Sequence, residues 1–352
     1  MKMLKSERKL IEFFEDKSDI LVFLTVSLGG MALRLLFRNT DINESMDLSL
    51  LNRIDISGII RRVIACVFEY LLAGLVAVMV AGDSGERKKF ITTYFLVLFS
   101  LPLLLSSSLM GRLDVIYAFL AVLAVFFTLR ENFMLSGLIL CLAIIFDLRT
   151  IIILPFCLYC SVLDGVSEKR EGFIKVTKVA LPSAVGVLIH ILVEKLIYGS
   201  ERIEINLYGR NISLWSFLSY APQDSGIYSV YAWVIACIAI VGLICFFKEQ
   251  NNKSKEMTYM VLFISTLAAT LLMPYAGEGS GYLCVIVTVL YICQSDKCII
   301  PAALILLMEA YINMSTVYGE EILPLSIQGM ACVSVGVLIY VLKKSDRKSI
   351  QT

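Results

Sequence analysis

The sequence predicts an all-α, polytopic integral membrane protein with about twelve transmembrane helices, on three observations. Hydrophobic residues make up 58% of the 352-residue chain and charged residues only 17%, whereas a soluble domain carries roughly 45–50% and about 25%. The apolar residues gather in blocks close to the ~20 residues that cross a hydrocarbon core of ~30 Å as a helix. Basic residues, finally, are distributed unevenly between alternate connecting segments. With 31 Lys+Arg against 30 Asp+Glu the net charge is +1. No basic excess exists to neutralise a nucleic-acid backbone, so no nucleic-acid partner is expected.

Taken in order, residues 1–19 read as a basic, amphipathic cytoplasmic N-terminus without a small-residue cleavage site, so the apolar run from Ile20 is expected to stay as the first membrane helix. Hydropathy then gives spans over 20–37, 63–82, 90–106, 115–129, 133–147, 150–163, 180–198, 229–247, 258–274, 282–294, 299–314 and 323–342. Several are short, so eleven or thirteen spans fit as well. With the N-terminus cytoplasmic, 21 of the 31 basic residues fall on the cytoplasmic side, which also places the 343–352 tail there. The whole chain is one transmembrane domain, with two long outer segments at 38–62 and 199–228.

The ten cysteines mostly lie in or at the ends of apolar runs and read as small core residues. Cys157 and Cys160 have C-x-x-C spacing but no second pair or histidine nearby, which disfavours a zinc or redox site.

Acids collect on the outer side: Asp41, Glu44, Asp47, Asp55, Asp114, Asp147, Glu201, Glu204, Asp224, Glu278, Glu320 and Glu321. Asp114, Asp147 and Glu278 fall in short turns tight against the membrane, where an unpaired ionised group costs several kcal/mol. In the first outer loop Ser45 is placed to N-cap a short interfacial helix. On it Asp47 shares a face with Leu50, Leu51 and Ile54, aiming its carboxylate at the membrane boundary. Such an acid is suited to act as a general base; the plainer reading is a first-turn Asp complementing the helix dipole. Two minimal turns, Gly111-Arg112-Leu113-Asp114 and Asp147-Leu148-Arg149, each carry one acid and one Arg. Each fits a structural ion pair as well as a phosphate site, and Arg's fork geometry together with Arg112, Arg149 and Arg210 on one side favours phosphate. His190, the only histidine, lies one turn below Glu194, a pairing that reads mainly as an interhelical contact. Glu69 and Glu309 are intramembrane acids, and they sustain a transporter or lipid-linked-oligosaccharide flippase as the alternative.

Five stretches resemble the GT-C superfamily of polytopic glycosyltransferases, specifically bacterial mannosyltransferase-like membrane proteins. Ser45-Met46-Asp47 leading to Leu51 and Ile54 is similar to the family's S-x-D loop. Leu101-Pro102 through Ser107-Ser108 and on to Gly111-Arg112-Leu113-Asp114-Val115-Ile116-Tyr117 resembles LP…NS…WGQxDxIY. Leu135-Ser136-Gly137 through Phe146 to Leu154-Pro155-Phe156 resembles aG…fKxQ…lPF. Tyr220-Ala221-Pro222-Gln223 with Tyr228 resembles APN…Y, and Pro274 to Glu278 the start of PxMHERY. The chain departs from the family at Met110 and Arg112, where Trp and Gln are usual, and at Asp147 and Arg149, where Lys and Gln are usual.

The resemblance implies an inverting transfer of a hexose, mannose-like, from a polyprenyl-phosphate donor to an extracytoplasmic glycan or lipid acceptor, in a bacterial plasma membrane. It implies Asp47 as the catalytic acidic residue; by their chemistry Asp47, with Asp41 as runner-up, would deprotonate or orient the acceptor hydroxyl, and Arg112, Arg149 and Arg210 would neutralise the donor phosphate. Asp114, Asp147, Glu278, Tyr228 and Trp215 would contact substrate. No cofactor is required, and a divalent metal is compatible with the chemistry but not indicated; there is no nucleotide-cradling G-x-x-x-x-G-K-[ST] in the chain. A catalytically inactive homologue serving envelope assembly also fits the altered motifs.

Overall fold

A computed structural model describes residues 5–36, 58–82, 86–109, 112–164, 169–198, 255–272, 281–294, 299–318 and 324–349, with isolated residues between 214 and 245. The described residues form helices and their connections, without strands. The helices are α1 (Lys5–Leu36), α2 (Gly58–Ala81), α3 (Arg87–Leu98), α4 (Leu101–Leu104), α5 (Asp114–Leu129), α6 (Phe133–Phe146), α7 (Leu154–Asp164), α8 (Lys169–Tyr198), α9 (Lys255–Leu272), α10 (Gly281–Gln294), α11 (Ile299–Tyr318) and α12 (Pro324–Ser349). A π-helical turn, Leu105–Leu109, continues α4, and a 3₁₀ turn, Leu148–Ile153, leads into α7.

By length and composition Ile60–Ala81, Arg170–Val193, Lys255–Leu272 and Leu325–Lys343 can each cross a membrane. The pair Arg87–Leu98 and Leu101–Ser107, bent by 47°, makes a fifth candidate. The protein is an all-helical membrane protein. Within the expected 282–294 span, α10 differs in character from a lipid-facing helix: every residue from Gly281 to Tyr291 is buried. Its described part is 14 residues long. A helix apolar all round is as much a core helix as a membrane one, and α10 packs against α2, α3, α4, α5, α9 and α11. The lipid-facing pattern belongs instead to α8, where Phe173, Leu181, Leu188, Leu192 and Leu196 stand exposed. The expected N-terminal segment and first span share one helix, since α1 runs unbroken for 32 residues from Lys5 to Leu36. The expected span 229–247 lies mostly outside the described residues.

The tightest pairing is α6 on α8, and prolines and glycines cause it. Pro182 lies inside α8 and has no N–H to give the carbonyl of Lys178, four residues earlier. That carbonyl and the Val179 backbone press on Gly137 of α6, where an added Cβ would collide with the Lys178 oxygen. Further along, a Cβ at Gly186 would come within 2.9 Å of the Cys141 carbonyl oxygen. Close backbone approach through small residues replaces the hydrophobic drive that is missing between helices in lipid. Elsewhere in the bundle, the last-turn carbonyls of Met79 and Val80 on α2 accept hydrogen bonds from the Tyr259 hydroxyl (3.2 Å) and Gln294 Nε2 (3.0 Å). Gly82, at φ +53°, reverses the chain just after α2.

Candidate functional site

Two buried ion clusters lie where α1 and α3 finish and α5 and α10 begin. The first grows from a broken helix. Pro102 follows the α3–α4 bend at the first turn of α4 and supplies no N–H for the Leu98 carbonyl. Arg34 does so instead: its Nη2 donates to the Leu98 oxygen (3.2 Å) and its Nη1 to the Gly30 oxygen (3.0 Å). Arg34 Nε donates to the carboxylate of Glu69, which also accepts from the Ser107 hydroxyl in the π turn. Tyr70 lies under the guanidinium at 5.7 Å and donates to the Ser27 oxygen (2.5 Å). Arg34 is 9% exposed and Glu69 3%. An intramembrane acid of unassigned partner in the sequence is thus half of an ion pair that ties α1, α2 and the π turn together.

The second cluster joins the two Arg/Asp turns. Asp147 caps the 3₁₀ turn by accepting from the Arg149 backbone N–H (2.9 Å), as short acidic side chains do at helix starts. Its carboxylate also takes a forked bond from the same residue's side chain, Nε at 2.9 and 3.1 Å and Nη2 at 2.6 Å. Arg149 Nη2 reaches Asp114 Oδ1 at 3.0 Å, and the guanidinium stacks 5.1 Å over the Tyr117 ring. Each sequence turn suggests its own pair; in space Asp114 instead meets the Arg of the other turn. Both acids are fully buried and Arg149 nearly so. One guanidinium faces two carboxylates, so this group carries a net negative charge when ionised.

Arg112 is half-buried on the approach to α5, where its backbone N–H donates to the Ser106 oxygen (3.2 Å). The expected site residues Asp41, Asp47, Arg210, Trp215, Tyr228 and Glu278 lie outside the described residues. His190 does not use its described contact on an acid: its Nδ1 bonds the Ile145 carbonyl (3.0 Å) in the last turn of α6, a carbonyl that helix ends leave without an intrahelical donor. The Glu194 side chain is outside the described set.

Glu309, 5% exposed, has no hydrogen-bond or ion-pair partner among the described residues. Its carboxylate occupies the space a side chain at Gly281 would fill. One turn on, Asn313 Nδ2 donates to the Pro102 oxygen (3.3 Å). Cys157 accepts a hydrogen bond from the Thr128 hydroxyl at 3.4 Å. Among the described residues no group of three His, Cys, Asp or Glu side chains is placed to hold a metal ion.

Comparison with protein-family models, with curated proteins and with solved structures finds no match to this chain.

Tyr282 is a member of this region that sequence reasoning passes over. It sits in the first turn of α10, 4% exposed, with a hydroxyl that has no hydrogen-bond partner among the described residues. A tyrosine in an apolar run carries no local signal for this; only the meeting of α10 with α2 and α5 creates it.

Proposed function

We propose that this protein is an integral membrane glycosyltransferase that moves a hexose, mannose-like, from a polyprenyl-phosphate carrier to an extracytoplasmic glycan or lipid acceptor with inversion. One observation carries the reading: Asp114, Asp147 and Arg149, from two separate family-like stretches, form a single buried cluster beside the turn that bears Arg112. Buried charge at membrane depth is expensive and is commonly retained for function.

In this reading Asp47, with Asp41 as runner-up, orients and deprotonates the acceptor hydroxyl. Arg112 and Arg210 neutralise the departing lipid phosphate. Arg149 shares that task only while also holding two carboxylates, so its larger part is to fix the turn that presents Arg112. Glu278, Trp215 and Tyr228 contact sugar or lipid. The chemistry needs no cofactor, since the leaving group is already a lipid phosphate. The setting would be a bacterial plasma membrane with the site on its outer face.

The test is to supply purified protein in lipid with a panel of polyprenyl-phosphate sugars and follow transfer or donor hydrolysis. We expect activity in the wild type and a loss of about 10²-fold or more in Asp47→Asn, the scale of general-base catalysis. Wild-type inactivity across the panel overturns the enzyme. Equal activity in Asp47→Asn overturns only that residue's role.

Glu309 favours a second reading, a transporter or lipid-linked-oligosaccharide flippase, because an intramembrane acid without a described partner commonly marks a substrate or ion path. Substrate uptake into proteoliposomes that is lost in Glu309→Gln would put the transporter first. An inactive homologue in envelope assembly predicts silent outer-acid variants in a chain whose deletion is not silent.

A further inference from the structure

Glu69, Asp114, Asp147 and Glu309 are the carboxylates buried among the described residues. The first three each hold an arginine: Glu69 pairs with Arg34, and the two aspartates share Arg149. Glu309 is the exception. It lies midway along α11, 5% exposed, with no hydrogen-bond or ion-pair partner among the described residues. Both of its carboxyl oxygens lie against Gly281 of α10, in the space where a Cβ at that position would stand. Glycine at 281 is what makes room for the acid.

Among the described residues no cation faces Glu309 from the helices packed on α11, which are α4, the π turn, α10 and α12. α4 and the π turn contain no titratable side chain. On α12 Cys332 and Tyr340 stand exposed, and charged residues begin only at Lys343. α10 contributes Tyr282, Cys284, Tyr291 and Cys293, of which Cys284, three residues on from Gly281, shares its face. One turn away on α11 itself are Ile305, Leu306, Ile312 and Asn313, and the Asn313 amide donates to the Pro102 oxygen.

An ionised carboxylate with no counter-charge is costly in such surroundings, and the group is neutralised rather than left charged. A metal ion needs several oxygen ligands at once, and an ammonium group needs room. The carboxyl is pressed on the Gly281 backbone, and most of its neighbours one turn away are apolar. A proton requires neither ligands nor space.

We propose that Glu309 is a proton-binding site between α10 and α11, occupied while its carboxyl is packed on Gly281. It stands apart from the glycosyltransferase reading, because none of the residues assigned there to sugar or phosphate takes part in it. Loss of the proton sets an uncompensated charge against the Gly281 backbone. The α10–α11 contact is therefore strongest at low pH and weakens as the pH rises.

The experiment takes infrared difference spectra, wild type minus Glu309→Gln, of the full chain in lipid nanodiscs from about pH 5 to about pH 9, where an ordinary exposed glutamate is already ionised. The difference should show the C=O stretch of one carboxylic acid at the acid end, replaced reversibly by carboxylate bands at the alkaline end. The thermal midpoint of wild type, relative to that of Glu309→Gln at the same pH, should fall over the same interval. Absence of the carboxylic-acid band overturns the proposal, since Glu309 is then ionised throughout. A band unchanged across the series also overturns it and marks a sealed structural acid. So does loss of the band on adding sodium chloride but not choline chloride at fixed pH, which makes this a metal-cation site. Equal pH dependence of the two midpoints overturns it as well.

Discussion

Arg34 shows how a single residue answers a debt created elsewhere in the chain. Pro102 leaves the Leu98 carbonyl without its helical donor, and Arg34 reaches across from α1 to supply one while pairing with Glu69. Removing one partner of a buried ion pair strands the other, at a cost of about 3–5 kcal/mol, whereas replacing both with apolar groups is far milder. We therefore expect Arg34→Met to unfold at markedly lower SDS mole fraction than wild type, and Arg34→Met/Glu69→Met to recover most of that loss. Arg149→Met should also be damaging, because it removes the guanidinium that Asp114 and Asp147 share; Arg149→Met/Asp114→Asn/Asp147→Asn should again recover part of it in the same assay. His190 matters less. Losing its bond to Ile145 should cost about 1 kcal/mol, the scale of one interhelical hydrogen bond, and His190→Phe tests it by thermal unfolding in detergent.

Helix by helix, close packing depends on what is missing from a residue. Gly137 and Gly186 let α6 and α8 approach until backbone meets backbone, and Pro182 turns the Lys178 carbonyl into part of that interface. A methyl at 137 would overlap that oxygen, and overpacking of a tight interface costs about 1–3 kcal/mol. Gly137→Ala should thus lower the monodisperse fraction after extraction, while Leu181→Ala, on the exposed face of the same α8, should leave it unchanged. The hydropathy of 133–147 and 180–198 is enough to predict two apolar helices there, and it says nothing of their partnership. For α10 hydropathy finds an apolar helix and says nothing of its surroundings, which bury every residue from Gly281 to Tyr291.

Considered as one molecule, the bundle builds its two buried ion clusters around places where helices break or end, the α3–α4 bend, the π turn, the start of α5 and the 3₁₀ turn. A continuous helix satisfies its own backbone, and only its interruptions expose donors and acceptors that charged side chains must meet. Basic residues distribute as expected for cytoplasmic termini. Tags at both ends should therefore be accessible to antibody in inside-out vesicles and protected in right-side-out ones, and accessibility of either tag in right-side-out vesicles reverses the orientation of that terminus.

Composition and periodicity alone determine that the chain is helical, that it belongs in a membrane, roughly where its helices fall, and that acids and arginines gather in a few short turns. These are properties of single segments, set by transfer free energy and by local turn chemistry. Pairing is another matter. That Asp114 meets Arg149, that Glu69 meets Arg34 and that His190 serves a carbonyl depend on which helices lie side by side. The tertiary structure alone decides this, because contacts between residues 35 or more positions apart arise from packing in three dimensions, which no window along the sequence contains.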